Sequence, residues 1–395
     1  MSTADTILSV CSWDDYLGGG EFVARNGANT VGLQGTSDVR SQLPGQAAVS
    51  EVSVCGAGHG RVSLFFFNLD LLPEKFSSIQ DQILDRGELE RRDRLRFPEL
   101  RRRFSAAHVG MRVLLARYLR SEDICKSGSW GGELIRWAGR LVFARGDWGK
   151  PYLAGFRTEA QERRAGRYLS GGRANSLATS ACNVARAEVA SAGDTGAHGQ
   201  DWIAFNLTHS EGWAALAVTA GRVSSQNFWF TEPNSGWGWE KGKLIESCGS
   251  YKTDWLPEVG LDLEVSSLKD RAGVAERFFT PKECEYISGN GCTAKLGVAS
   301  EECAERFSWV WTRKEACLKL WGTGLKGIPL NSFEVLDGLP HPASAMTEQP
   351  EVLSRVEKFT ALCRSLYSWR LSLGLQLSLA LNFVPYQIEI VRLHG

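Results

Sequence analysis

The run Trp309–Trp321, WVWTRKEACLKLW, constrains this chain more than any other segment. With the residues from Glu302 it reads as one helix, ended by Gly322 and Gly324. Trp309, Val310, Trp311, Leu318, Leu320 and Trp321 leave that helix apolar nearly all round. A helix of this kind must be covered on most of its sides, so it needs other layers to pack between. Strand patterns supply them. Leucines 371, 373, 375, 377, 379 and 381 alternate with small or polar residues, which predicts a half-buried strand of period two. VGLDLEV at Val259–Val265 alternates strictly, VSLFFFNLDL at Val62–Leu71 is an apolar run, and Ile203–Leu207 with Trp213–Thr219 reads as a strand pair. Helical spacing runs through Phe104–Leu119 and through 271–288, where Thr280-Pro281-Lys282-Glu283 forms a capping box that starts a new helix. The fold class expected is α+β, with antiparallel sheets packed against long helices.

Composition excludes several functions. The 45 Lys and Arg residues balance 45 Asp and Glu residues, which argues against a broadly basic nucleic-acid binder. At 395 residues and 43% hydrophobic the chain can bury a sizeable core in two or three units. No apolar run is long enough to span a membrane, and the acidic start MSTADTILSVCSWDD lacks the basic and apolar regions of a secretory signal. Its ten cysteines follow no CxxC or CxxH spacing and read as reduced thiols. A cytoplasmic protein is expected, with import into an organelle left open. Residues 1–60 read as an irregular Gly/Ser/Ala/Asn-rich extension, and about 156–200 as a loop insertion. A second insertion, 222–257, carries Phe228, Trp229, Phe230, Trp237, Trp239 and Trp255, aromatic surface enough to pack.

Five groups of residues can do chemistry. Asp262 and Glu264 lie two apart on a strand, so both carboxylates share one face while Leu261, Leu263 and Val265 take the other. Carboxylates about 7 Å apart repel unless a cation sits between them, and hard oxygen ligands suit Mg²⁺. A solvated strand face explains the same letters. Glu315 and Lys319 share a helix face at i,i+4, where a surface ion pair is the bland reading and a buried helix makes that reading uncomfortable. Asn206-Leu207-Thr208-His209-Ser210 gathers amide, hydroxyl and imidazole groups at a strand end, which also suits an ordinary turn. Trp148-Gly149-Lys150-Pro151 combines close backbone approach with a point charge fit for phosphate, or is simply a turn. Arg91, Arg92, Arg96, Arg103 and Arg112 form an arginine-rich face, solvated or partner-binding.

The order of these pieces carries more than any one of them. WGKP, FNLTHS, VGLDLE, RFFTPKE, WTRKEACLK and the run Gly322–Leu330, GTGLKGIPL, follow an RxRF…RRRF…R segment from Arg94 to Arg112. This succession resembles the 4′-phosphopantetheinyl transferase family of the surfactin-synthetase-activating (Sfp) type, over roughly 61–155, 201–221, 258–335 and the final strands. It departs from the family pattern at Trp148, where Tyr is common, and at Thr208, where Ser is usual; an aromatic and a hydroxyl are kept. The resemblance implies a pseudo-twofold pair of similar halves, 61–221 and 258–395, with coenzyme A between them and 222–257 in their connection. It implies Mg²⁺ on Asp262, Glu264 and Glu315, with Lys319 on the pyrophosphate of coenzyme A. Lys150, flanked by Gly149 and Pro151, would hold the adenosine and its 3′-phosphate with Arg103, Thr208 and His209, and Asn206 would shape that loop. Catalysis would fall to Glu315, Lys319 and Asp262. The partner implied is an acyl carrier protein or peptidyl carrier domain, with part of the arginine face as its docking surface, and one chain would complete the cleft as a monomer. The rivals are a Mg²⁺-dependent phosphatase or nuclease, which would not need GKP and THS, and a non-catalytic coenzyme A or carrier-binding module.

Overall fold

The computed structural model describes residues 5–14, 60–119, 132–146, 148–157, 200–223, 237–240, 243–246, 257–266, 272–289, 301–339, 351–357, 363–371 and 375–394. The strands are β1 (Asp5–Ser12), β2 (Gly60–Asn68), β3 (Leu141–Arg145), β4 (Pro151–Phe156), β5 (Gln200–Ser210), β6 (Trp213–Val223), β7 (Trp237–Glu240), β8 (Lys243–Glu246), β9 (Val259–Val265), β10 (Glu351–Glu357), β11 (Ser365–Arg370), β12 (Leu375–Leu381) and β13 (Pro385–His394). The helices that matter below are α1 (Lys75–Ile83), α2 (Arg86–Asp93), α3 (Pro98–Leu119), α4 (Gly132–Arg140), α5 (Ala272–Phe278), α6 (Pro281–Ser288), α7 (Glu301–Trp321) and the single turn α8 (Gly324–Gly327). The class is α+β, as the letters predict.

One sheet has the order β1-β13-β2-β6-β5 and a second the order β10-β11-β12-β9. They stack face to face. Val62, Leu64 and Phe66 of β2, with Ile388 and Ile390 of β13, meet Leu261, Leu263, Leu377, Leu379 and Trp369 of the second sheet. The alternate residues Phe65 and Phe67 point the other way, into a core built with Val109, Val113 and Leu114 of α3 and Leu134 and Ala138 of α4. β2 is therefore covered on both faces, which is why its sequence runs apolar without alternation. Helix α7 covers the remaining face of the second sheet through Ala316, Cys317 and Leu320.

Two expectations change. The leucine strand is fully buried rather than half-buried: Gln376, Ser378 and Ala380 are 1%, 0% and 0% exposed because α7 lies over their face. It begins at Leu375 and follows β11, so Leu371 belongs to the preceding hairpin arm and Leu373 falls outside the described residues. The stretch 1–60 is not irregular at its start, since β1 pairs in parallel with β13 and Trp13 packs edge-on against Phe67 and Phe76. The partner strand lies at the far end of the chain, so no local turn signal announced it. β13 lies in the first sheet, between β1 and β2 and parallel to both.

Within 222–257, β7 and β8 pair as a short hairpin. The insertion read at about 156–200 lies, between β4 and β5, outside the described residues apart from its ends. Among the described residues no helix is long and apolar enough to cross a membrane.

Candidate active site

The two sheets meet along a seam between the edge strands β5 and β9. A β9 edge would ordinarily leave main-chain N–H groups without acceptors. Here side chains of β5 supply them: Asn206 Oδ1 accepts from Leu261 N at 3.2 Å and Thr208 Oγ1 accepts from Leu263 N at 3.3 Å. Alternate residues of one strand thus cap alternate amides of the other. Asn206 and Thr208 sit in the body of β5, opposite Ala217 and Ala215, rather than in a turn. The turn is Glu211-Gly212, both at positive φ (45° and 85°), the combination of a type I′ hairpin. Gly212 is required for a second reason, since a Cβ there would lie 2.7 Å from Asp70 Oδ2.

Across the seam three of the predicted site residues converge. Thr208 Oγ1 donates to Asp262 Oδ1 at 3.2 Å, and Lys319 Nζ donates to Asp262 Oδ1 at 2.6 Å and to Thr208 Oγ1 at 3.2 Å. Gly260 makes that approach possible. A Cβ on it would stand 2.0 Å from Ala316 O and 2.3 Å from Leu320 N, so α7 lies directly on the β9 backbone. One turn before Lys319, Glu315 enters the same group.

Its electrostatics are strained toward neutrality. Burial pushes the Glu315 carboxyl up to about 7, helped by the negative charges of Asp262 and Glu264 and opposed by Lys319. Burial likewise raises Asp262, with Lys319 and Thr208 pulling the other way and Glu264 adding to the rise. Asp262 Oδ2 is buried and has no hydrogen-bond partner. Asp262 and Glu315 thus share the Lys319 ammonium with Glu264 adding negative charge, and a buried carboxylate oxygen of Asp262 lacks a donor. Asp262, Glu264 and Glu315 are the residues that could hold a hard divalent cation there. Among the described residues no three acidic, imidazole or thiol groups stand as a ready-made metal cage.

The two residues before Glu315 do different work. Arg313, fully buried, donates to Ser368 Oγ at 2.9 Å, Val335 O at 2.6 Å and Asp337 O at 2.8 Å. Lys314, also fully buried, donates to Leu330 O and Phe333 O, both at 2.6 Å, and pairs with Glu283 Oε2 at 2.9 Å. Glu283 is the capping-box residue of α6 and accepts in addition from Val335 N at 3.0 Å. The TPKE, WTRKE and GTGLKGIPL segments are therefore one locked unit, and the lock turns Glu315 toward the seam. Sequence reasoning found the cap but not its second role, for which the only signal was a pair of charges inside an apolar helix.

The remaining predicted residues stand around this group. Lys150 has all three donors engaged, on Glu258 Oε2 at 2.6 Å, Val259 O at 3.2 Å and Leu320 O at 3.1 Å. It ties the Gly149–Pro151 end of the β3–β4 hairpin to the C-terminus of α7, where a cation is favoured. Arg103 forks onto Asp70 at 3.0 and 2.7 Å and reaches Glu99 at 2.8 Å, beside the Gly212 turn. His209 is exposed at the end of β5; partial desolvation, then the charges of His108 and Lys319, lower its pKa.

His108, missed from sequence, stacks on Phe104 and stands 2.9 Å from Glu88 Oε1 through Nδ1. Arg112 leaves the arginine-rich face altogether. It is fully buried and bonds Glu88, Asp85 and the carbonyls of Ala138 and Leu141, because α3 passes under α2 and α4 there.

Comparison with known proteins bears on the same elements. Residues 258–364, from the residue before β9 to the residue before β11, match the family model described as the 4′-phosphopantetheinyl transferase superfamily. No curated protein matches the chain.

Proposed function

We propose that this protein transfers the 4′-phosphopantetheine group of coenzyme A to a serine of an apo acyl carrier protein or peptidyl carrier domain. The observation that carries the reading is the junction of Asp262, Thr208, Lys319 and Glu315 within and against the segment that matches the transferase superfamily. Asp262, Glu264 and Glu315 would hold Mg²⁺, which when bound neutralises charge on the pyrophosphate of coenzyme A.

The residues of the chain account for the other needs. The carrier serine oxygen forms a bond to the β-phosphorus, and the bond from that phosphorus to the bridging oxygen breaks, releasing adenosine 3′,5′-bisphosphate. Lys319 lies at the seam to stabilise negative charge on the departing oxygens. The serine proton passes to Glu315, directly or through a water. Thr208 fixes both Asp262 and Lys319 through one hydroxyl. His209 and Arg103, at the hairpin end of the cleft, would take the adenosine and its 3′-phosphate. Lys150 would join them after exchanging one of its protein acceptors.

Intact mass spectrometry of an apo carrier protein incubated with this protein, coenzyme A and Mg²⁺ tests the reading. A gain of one phosphopantetheine is expected, lost with Asp262→Ala, with Glu315→Ala and with chelator. Coenzyme A binding without any gain on several unrelated carriers would replace the enzyme with a binding module. Charge reversal at Arg91 and Arg92 should slow carrier modification while coenzyme A binding stays unchanged.

A further inference from the structure

His108 lies on α3 one turn beyond Phe104 and takes no part in the chemistry above. Its ring stacks on Phe104 with centroids 4.2 Å apart, and its Nδ1 stands 2.9 Å from Glu88 Oε1. Burial would raise that carboxyl, but the His108 bond and the Arg112 charge hold it at about 2, so it is ionised and fixes a proton on Nδ1. The other oxygen of Glu88 is already taken, by Arg112 Nε at 2.8 Å and by Asp85 N at 3.0 Å. Nε2 is the end left over. It has no hydrogen-bond partner among the described residues and, in a side chain 16% exposed, it is not sealed from solvent.

Helix α3 brings this ring to the hairpin end of the cleft. Arg103, the residue before Phe104, lies beside the Gly212 turn, and His209 stands three residues ahead of that glycine at the end of β5. The charge of His108 is felt at His209, after the effect of desolvation. Cations without acids of their own stand around the same rings. Arg91 lies over the Phe104 ring at 5.7 Å and donates to Gly87 O at 3.3 Å, and Arg145 donates to Gly149 O at 3.0 Å. Neither forms an ion pair among the described residues. Burial and then the charge of Arg91 lower Arg145, with Asp85 and Glu88 opposing in part. Arg103, by contrast, is committed to Asp70 and Glu99. Positive groups from α2, α3, β3 and β5 that repel one another create a potential that an anion relieves.

We infer that His108 is a binding residue for a phosphate monoester: its Nε2–H donates to the 3′-phosphate of coenzyme A, beside His209, while Glu88 holds its Nδ1–H. The inference rests on the coenzyme A reading above. With a phosphate dianion on one side and the Glu88 carboxylate on the other, the ring donates through both nitrogens, which only the imidazolium can do. Hydrogen bonds between charged partners are roughly twice as strong as neutral ones. Glu88 is the positioning residue, since its burial and its bonds to Arg112 and Asp85 N fix the direction in which the ring presents Nε2. The group recognised is the phosphate rather than the adenine or the pyrophosphate, so His108 discriminates coenzyme A from the same molecule lacking that phosphate.

The test is isothermal titration calorimetry of coenzyme A and of dephospho-coenzyme A on the full chain with Mg²⁺. His108→Ala should weaken coenzyme A about 10- to 100-fold and leave dephospho-coenzyme A unchanged, the second ligand reporting that the fold and the rest of the cleft are intact. Glu88→Gln keeps an acceptor for Nδ1 without the charge and should narrow the preference for coenzyme A by a smaller factor. If His108→Ala fails to fold, His108→Gln, which offers a neutral donor, should show a reduced loss with the same selectivity. A loss shared equally by both ligands, or no loss for either, would overturn the inference and leave the coenzyme A reading intact. Failure of the native protein to bind either ligand would overturn both.

Discussion

Helix α7 presents two charged faces that are treated in opposite ways. On one, Arg313 and Lys314 are fully buried and donate to carbonyls, a hydroxyl and Glu283. On the other, Asp262 and Glu315 stand by Lys319 with the charge of Glu264 near both, one oxygen of Asp262 has no donor and Glu315 is pushed up to about 7. Both faces are costly places to put charge. The satisfied face fixes architecture. The deficient one is held open for something that brings positive charge and hydrogen-bond donors, and the first face supplies the rigidity that keeps it so.

Breaking the deficient face should cost activity rather than stability. Asp262→Ala should lower phosphopantetheine transfer by about 10³-fold or more, since it removes charge stabilisation at the reacting phosphate. Glu315→Gln should abolish transfer as well, yet raise the Tm of the metal-free protein because it relieves carboxylate repulsion. A Tm that falls instead would show that the face is satisfied after all.

Breaking the satisfied face should do the reverse. Lys314→Met leaves Glu283 buried without its cation, a loss of about 3–5 kcal/mol in chemical denaturation. Adding Glu283→Gln should restore part of it, and an additive double variant would separate the pair.

A third buried carboxylate sharpens the contrast through pH. Glu88 would be raised by burial, but the His108 hydrogen bond and the Arg112 charge hold it at about 2 against an ordinary 4.5. Between those values the folded protein binds fewer protons than the unfolded chain. The stability it contributes, about 3 kcal/mol, is therefore complete above pH 4.5 and lost as pH falls toward 2. Glu88→Gln should flatten that limb of the stability–pH curve. A curve unchanged by the substitution would show that the pairing is absent in solution.

The smallest effect belongs to the seam between the faces. Thr208→Val loses the bonds to Asp262, Lys319 and Leu263 N, for about 1–2 kcal/mol, whereas Thr208→Ser keeps the hydroxyl and should stay near the native Tm.

Much of this was written in short stretches of letters. The Asp262/Glu264 pair on one strand face, the Glu315/Lys319 pair on one helix face and the Thr280–Glu283 capping box depend on spacings of two to four residues. Backbone periodicity fixes such spacings without reference to the rest of the chain.

The tertiary structure decided everything whose partner lies far along the chain. β1 and β13 pair across the whole molecule, so residues 5–12 carried no local sign of their strand. Asn206 and Thr208 read as turn formers because the amides they cap belong to β9, more than fifty residues on. Arg112 read as one more arginine of a solvated or partner-binding face because Asp85, Glu88 and the carbonyls of Ala138 and Leu141 close over it only in the folded state. Gln376 read as the polar half of an alternating strand until α7 covered it. Periodicity determines which way a side chain points, and only the packing of distant elements determines what stands there.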